Sequence, residues 1–196
     1  MLLLPQTRET FLWVVKEDHA VEWLTFILLV AASAVSFRNA IALRRSDAPS
    51  AAVAFHAVFA VGLLVIGMEE IAWGQRWFGF ETPEALREIN LQREVTLHNI
   101  KGLHGWSDLM RLAFGLGGLV GILLWRSPRM RSVAVPPLLW SWFLIISIHA
   151  AIDTYNDFVP ISRRIDFALQ RTSEVIELLI GGAAFLYAGI HARLDL

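Results

Sequence analysis

Residues 51–73 read AAVAFHAVFAVGLLVIGMEEIAW, a hydrophobic run in which two adjacent glutamates, Glu69 and Glu70, appear before the run has finished. About 20 helical residues cross a hydrocarbon core of roughly 30 Å, so this run is long enough for a transmembrane helix. An ionisable residue within such a helix costs about 2.5–3.5 kcal/mol on insertion scales, and it usually faces the bundle interior. The stretch therefore predicts a membrane-spanning helix with a polar site near one membrane face.

The composition of the whole chain also indicates a membrane protein. Of its 196 residues, 56% are hydrophobic and only 18% are charged, whereas soluble domains carry about 25% charged residues. The apolar residues form five long blocks, at about residues 20–37, 51–73, 109–125, 133–152 and 174–191. We predict helices because an unpaired strand in lipid would leave its backbone unsatisfied. The predicted fold is an all-α polytopic membrane helical bundle, a single integral membrane domain over residues 1–196.

Charge and cysteine content exclude several classes of function. The net charge is −1, so the chain has no general electrostatic affinity for nucleic acid. It contains no cysteine, which excludes disulfides, thiolate zinc sites, iron–sulfur clusters and cysteine nucleophiles. Any bound metal would have to be held by His, Asp and Glu.

The basic residues of the loops predict an orientation. The loop after the first span carries Arg44 and Arg45, and the loop after the third span, RSPRMR, contains three arginines and no acid. Loops rich in Lys and Arg stay in the cytoplasm. We therefore expect a bacterial inner (cytoplasmic) membrane protein with its N-terminus outside and its C-terminus cytoplasmic. The first residues lack the features of a signal peptide, so we expect them to be retained.

The long outer connection, residues 74–106, is predicted to contain an interfacial helix. Thr82, Pro83 and Glu84 have the chemistry of a helix start, with Thr as the N-cap. A helix from there to about residue 99 would place Glu94 and His98, four residues apart, on one face.

Ionisable side chains gather at the outer ends of the predicted spans. His149 and Asp153 are four residues apart, so they share a helix face. Glu174 and Glu177, three residues apart, form a similar pair at the start of the fifth span. Several acids at one depth repel each other unless protons, arginines or a metal ion compensate. The predicted metal ligands are Glu70, His98, His149, Asp153, Glu174 and Glu177.

Three functions are open at this point. The first is a metal-dependent membrane hydrolase or oxidoreductase that uses Fe, Mn or Zn on a lipid or isoprenoid-like substrate, with Glu69 and Glu94 as catalytic carboxylates. The second is a non-catalytic membrane subunit whose acids form structural ion pairs. The third is a proton- or ion-coupled carrier, disfavoured because acids near mid-membrane are missing. Membrane lipids are the expected partners in each case. The arginines available for ion pairs are Arg76, Arg111, Arg163, Arg164 and Arg171.

The glycines and the other histidines of the spans are interpreted as packing or interfacial residues. The glycines of FGLGGLVG, residues 114–121, are typical of close helix–helix contact. His56 lies near the inner face and is interpreted as a packing or headgroup-contact residue, and His191 as an interfacial one.

The block EEIAWGQRWFGFETPE, followed by NLQREVTLHN, resembles a recurrent pattern in uncharacterised bacterial multi-pass membrane proteins. The densest part of the resemblance covers residues 69–99. It implies a membrane protein and no particular activity.

Overall fold

The computed structural model describes residues 20–91, 93–97, 99–102, 104–159 and 161–194. Seven α-helices are assigned within these ranges. They are α1 (Ala20–Arg45), α2 (Ser50–Glu70), α3 (Gln75–Phe78), α4 (Glu84–Ile89), α5 (His104–Leu124), α6 (Trp140–Phe158) and α7 (Arg163–His191). Five of them, α1, α2, α5, α6 and α7, are long and apolar enough to cross a membrane. The predicted class is confirmed: the protein is an all-α polytopic helical bundle with five membrane-spanning helices.

The observed helices extend beyond the hydrophobic blocks. The fifth span was expected to begin at residue 174, but α7 begins at Arg163. Its first turns mix apolar residues with charged ones, so no continuous hydrophobic block reveals them. The N-cap Ser162 accepts a hydrogen bond from the backbone N–H of Ile165 at 3.3 Å. Glu174 and Glu177 therefore lie about three turns inside a helix, not at its start. Likewise α1 continues to Arg45 instead of ending near residue 37.

The bundle consists of two helical hairpins joined by the last helix. α1 packs against α2, α5 packs against α6, and α7 packs against both α1 and α6. Side chains of four helices meet in the core, where Leu29 of α1, Leu63 of α2 and Ala184 of α7 are buried together with Phe114 of α5 packed against them. Because α7 packs against one helix of each hairpin, it connects the two hairpins.

Two buried hydrogen bonds fix α1 against its neighbours. The Ser33 hydroxyl donates to the carbonyl oxygen of Ala60 in α2 at 2.7 Å. The Asn39 side-chain amide donates to the carbonyl oxygen of Ala188 in α7 at 3.0 Å. Such bonds satisfy polar groups that lipid cannot.

The glycine-rich face of α5 lies directly against α6, as the sequence predicts. A Cβ atom on Gly118 would lie 1.9 Å from the ring of Phe143, and one on Gly115 would lie 2.5 Å from the Ser147 hydroxyl. Both distances are far below a normal contact of about 3.5–4.0 Å. Only glycine permits this approach of the two helices.

The helix directions define two ends of the bundle. The charged end holds the starts of α1, α5 and α7, the ends of α2 and α6, and the connection between α2 and α5. The histidine end holds the opposite helix termini and the loop between α5 and α6, residues 125–139, with His56 and His191 close to that loop.

Candidate functional site

Arg111 lies at the centre of the charged end. Its guanidinium group contacts the carboxylate of Glu177 on α7 and that of Asp108 on its own helix, the latter at 2.7 Å. Asp153 on α6 lies 3.8 Å away, and the Ser173 hydroxyl accepts a further hydrogen bond at 2.6 Å. The side chain is only 18% exposed. One cation thus joins α5, α6 and α7 through three carboxylates.

His149 lies beside this network, and its tautomer can be inferred. Its Nε2 lies 2.8 Å from the hydroxyl oxygen of Thr172. That hydroxyl donates its own proton to the carbonyl oxygen of Ala168, so the oxygen accepts from an Nε2–H group. Nδ1 then carries an unprotonated lone pair, and it is buried without a hydrogen-bond partner among the described residues. His149 also interacts electrostatically with Asp153 and Glu177.

Glu70 and Glu69 have different surroundings, although they are adjacent. Glu70 interacts electrostatically with Glu22, Glu174 and Glu177, and with Arg111. It therefore faces the same polar cluster as the predicted ligands on α6 and α7. We name the set around Arg111 the Arg111 cluster. Its members are Glu70, Asp108, Arg111, His149, Asp153, Ser173, Glu174 and Glu177.

Glu69 instead anchors the connection between α2 and α5. One carboxylate oxygen accepts a hydrogen bond from the indole N–H of Trp73 at 2.6 Å, and the other accepts from the backbone N–H of Leu97 at 2.6 Å. Both oxygens thus hold the loop against the end of α2. This geometry supports a structural role for Glu69, whose predicted catalytic role stays a prediction.

The predicted interfacial helix from Thr82 to residue 99 is wrong in extent. Among the described residues of this stretch, only Glu84–Ile89 is helical, and the chain then turns and forms an isolated antiparallel bridge between Asn90 and Ile100. Asn90 favours this turn because its side chain accepts from the N–H of Glu94 and donates to the carbonyl oxygen of Thr96. Thr82 is not the N-cap, because the helix begins at Glu84 with Pro83 in the N-cap position. The Thr82 hydroxyl instead donates to the carbonyl oxygen of Arg93 at 2.7 Å.

The helix expected at Glu94 is not observed, because this residue lies in a bend and is half-buried. His98, its expected partner on one helix face, lies outside the described residues. Gln75 fastens the same segment to α3, because its side chain donates to Thr82 and accepts from the backbone N–H of Val95 at 3.0 Å.

α5 begins five residues before the hydrophobic block that predicts it, at His104 instead of residue 109. Arg111 was one of several candidate ion-pair partners, and Asp108 was outside the expected third span, which began at residue 109. The spacing of Asp108 and Arg111, three residues apart, was the available signal for a pair on one helix face.

The residues that the structure describes do not include three His, Asp or Glu side chains placed to hold one metal ion together. Asp153 and Glu177, two of the predicted ligands, are engaged by Arg111. Bringing these ligands together on a metal ion would require the guanidinium group to move away.

The histidine end contains a second polar arrangement that the sequence revealed only in part. His56 of α2 and His191 of α7 are fully buried. His191 is the last residue of its helix, and its expected location at the membrane interface stays a prediction. The Nε2 atom of His56 lies 2.8 Å from the carbonyl oxygen of Ser132, and that of His191 lies 2.8 Å from the carbonyl oxygen of Ala134.

Tyr187 completes this arrangement. Its hydroxyl donates to the carbonyl oxygen of Val133 at 3.0 Å, so three consecutive backbone carbonyls of the loop between α5 and α6 are bound by α2 and α7. The rings of Tyr187 and His191 pack with their centroids 4.5 Å apart. The arrangement fixes the loop against the rest of the bundle.

No protein-family model matches the chain, and no curated protein or solved structure gives a significant match. The resemblance of residues 69–99 to uncharacterised multi-pass proteins stays a prediction.

Proposed function

We propose that this integral membrane protein is a non-catalytic component of the bacterial cytoplasmic membrane, in which the Arg111 cluster holds the helices together at the outward-facing end. The observation that carries the proposal is the position of Arg111. Its guanidinium group contacts carboxylates on α6 and α7 in addition to one on its own helix.

The energetics of buried charge support a structural role. Asp108, Asp153 and Glu177 have side chains 11%, 15% and 21% exposed, respectively. Removing one partner of a buried ion pair leaves an uncompensated charge and costs about 3–5 kcal/mol. Arg111 therefore stabilises one arrangement of three helices, because any displacement of α6 or α7 separates it from an acid.

The orientation is part of the same proposal. Arg44 and Arg45 end α1 at the histidine end, and Arg126, Arg129 and Arg131 follow in the loop between α5 and α6. An excess of arginine in short loops favours the cytoplasmic side, which places the charged end outside.

A double-mutant cycle between Arg111 and Glu177 tests this role. The variants Arg111→Met, Glu177→Gln and their combination are purified in detergent, and the free energy of unfolding is measured by titration with sodium dodecyl sulfate. Arg111→Met should lower it by about 3–5 kcal/mol, and the double variant should lose at least about 1 kcal/mol less than the sum of the single losses.

The control is Arg164→Met, an exposed arginine on the first turn of α7. A loss for Arg111→Met no larger than for this control would contradict the proposal. Additive losses in the double variant would also contradict it.

A second candidate function is favoured by His149. A buried Nδ1 lone pair, with the other ring nitrogen donating to Thr172, has the tautomer that a metal-binding histidine adopts. For His149, Glu70 and Glu174 to hold a divalent Fe, Mn or Zn ion together, these side chains would have to rearrange, because the described residues do not place three such ligands around one ion. A bound ion would supply an activated water for attack on a lipid or isoprenoid-like substrate.

Metal analysis separates the two functions without an activity assay. Protein purified after growth with each metal is analysed by mass spectrometry of the elements, together with His149→Gln and the control His56→Gln. The metal-dependent function requires about one metal ion per chain in the wild type, and loss of that ion in His149→Gln only. No bound metal, or equal binding in the three proteins, would exclude it.

A further inference from the structure

A cavity with a volume of about 380 Å³ opens at the charged end, and its lining includes none of the residues of the Arg111 cluster. It lies between the start of α5 and the end of α6. Its lining residues are Gly102, Trp106, Leu109, Asp157 and Phe158. Trp106 and Phe158 are 61% and 81% exposed, respectively, so both aromatic rings are available to a ligand.

The depth of the cavity is set by the helices that line it. Trp106 is the first residue of one candidate membrane span, and Phe158 is the last residue of the neighbouring span. Tryptophan at this position is typical of the headgroup level of a bilayer. Leu109 lies three residues after Trp106, on the same helix face and deeper along the span. The cavity thus has an apolar flank toward the membrane and a carboxylate toward water.

The chemistry of the lining selects a cation. The faces of Trp and Phe rings attract ammonium groups, and the attraction is stronger where the site is shielded from water. The Asp157 carboxylate adds an attractive charge for an ammonium group and repels a phosphate group. An exclusively anionic headgroup would meet this repulsion, and the described lining residues include no Lys or Arg to offset it.

We propose that this cavity binds the ammonium group of a zwitterionic phospholipid headgroup, with Asp157 as its counter-charge and with Trp106 and Phe158 against its faces. The acyl chains would leave past Leu109 along α5. A lipid is the favoured source of the ammonium group because the cavity opens at the membrane boundary. The proposal is independent of the role of the Arg111 cluster.

The test uses the full-length protein in detergent and native mass spectrometry, which counts lipid molecules retained on each chain. The probes are phosphatidylethanolamine, phosphatidylcholine and phosphatidylglycerol with identical acyl chains, each titrated separately. Free ethanolamine and free choline are further arms. We expect at least one zwitterionic lipid to bind about fivefold or more tightly than phosphatidylglycerol, and the free amines to bind far more weakly.

Variants locate the binding. Trp106→Leu should weaken binding of the zwitterionic lipid by about 2- to 30-fold, the range that corresponds to about 0.5–2 kcal/mol for a cation–π contact. Asp157→Asn should weaken it by up to about fivefold, which corresponds to up to about 1 kcal/mol for an exposed ion pair. Asp47→Asn is the matched control for charge at the opposite end of the bundle. Phe78→Leu is the matched control for an exposed aromatic ring at the charged end, where Phe78 is 77% exposed.

Each result has a defined meaning. Selective binding that is lost in the Asp157 and Trp106 variants and kept in both controls supports the proposal. Equal binding of phosphatidylglycerol overturns it, as does unchanged binding in the Asp157 and Trp106 variants. Free choline or ethanolamine binding as tightly as the lipid would overturn the lipid as source and assign a soluble amine. Circular dichroism of each variant confirms that a loss of binding is not a loss of fold.

Discussion

The close contact between α5 and α6 yields the sharpest prediction, a single added methyl group at Gly118. In Gly118→Ala, the new Cβ atom would lie 1.9 Å from one ring carbon of Phe143 and 2.2 Å from the next. Carbon atoms in contact prefer about 3.5–4.0 Å. Either the two helices separate by roughly 1.5 Å or the ring moves, since the distances fall short by about that amount.

The ring has little freedom to move. Phe143 is 3% exposed, and its ring packs against that of Phe114 with the centroids 5.5 Å apart. It also belongs to the core cluster that contains Leu139 and Tyr187. Overpacking in such a core costs about 1–3 kcal/mol. We expect the free energy of unfolding of Gly118→Ala to fall by about 2–3 kcal/mol, near the upper part of this range.

The assay is unfolding in mixed micelles, in which sodium dodecyl sulfate is titrated into detergent-solubilised protein and helix content is followed by circular dichroism. The neighbouring residue supplies the control, because a Cβ atom on Gly117 would have nothing within 4 Å. Gly117→Ala should leave stability unchanged, or raise it by up to about 1 kcal/mol through the better helix propensity of alanine. In the double variant Gly118→Ala/Phe143→Leu, the smaller side chain makes room, so the two losses should not add.

The outcome can refute the reasoning in two ways. If Gly118→Ala is as stable as Gly117→Ala, then α5 and α6 do not approach each other at this glycine. If the losses of the double variant add fully, then Phe143 is not the group that the new methyl meets.

Three further changes test other contacts of the bundle. Tyr187→Phe removes the hydroxyl that donates to the carbonyl oxygen of Val133. This change should lower the free energy of unfolding by about 1 kcal/mol in the same micelle titration. An unchanged free energy of unfolding would mean that water replaces the bond at no cost. Glu69→Gln should raise the rate of amide hydrogen exchange in the peptide containing Leu97 by about tenfold or more, because a hydrogen bond to a charged acceptor contributes about 1.5–3 kcal/mol. An unchanged exchange rate would show that Glu69 does not anchor that segment. Asn39→Leu breaks the bond between α1 and α7 and should cost about 0.6–1.7 kcal/mol, the range for hydrogen bonds between membrane helices, whereas a more stable variant would show that this bond is dispensable.

The sequence predicted the number of spanning helices because lipid imposes a simple rule on composition. A helix that crosses a bilayer needs an apolar block of a certain length, and five such blocks are visible. The boundaries were less predictable because polar residues can continue a helix beyond the block. The first turns of α7, from Arg163 to Thr172, are helical through backbone hydrogen bonds and the Ser162 cap, and their apolar residues alternate with charged ones instead of forming a block.

The candidate site was predictable where residues share a helix, and unpredictable where helices meet. Spacing alone placed His149 with Asp153 and Glu174 with Glu177, and the structure brings both pairs to one end of the bundle. The central place of Arg111 depends on the mutual rotation of α5, α6 and α7, which no local pattern encodes. The end of the short helix at Ile89 was not predicted for a different reason. Asn90 bonds to its own backbone neighbours and stops the helix there.

The central position of α7 has a consequence for how the protein is made. α7 is the last of the five spanning helices to leave the ribosome, yet it is the element that packs against both hairpins. The hairpins can enter the membrane as separate units, but their joint arrangement has to wait for synthesis to pass residue 191. Until then, the carboxylate of Glu177 is not available to Arg111, and the hydroxyl of Tyr187 is not available to the loop between α5 and α6. Quality control in the membrane would therefore encounter the unfinished chain as two loosely associated hairpins whose buried arginine and loop carbonyls are still without these partners.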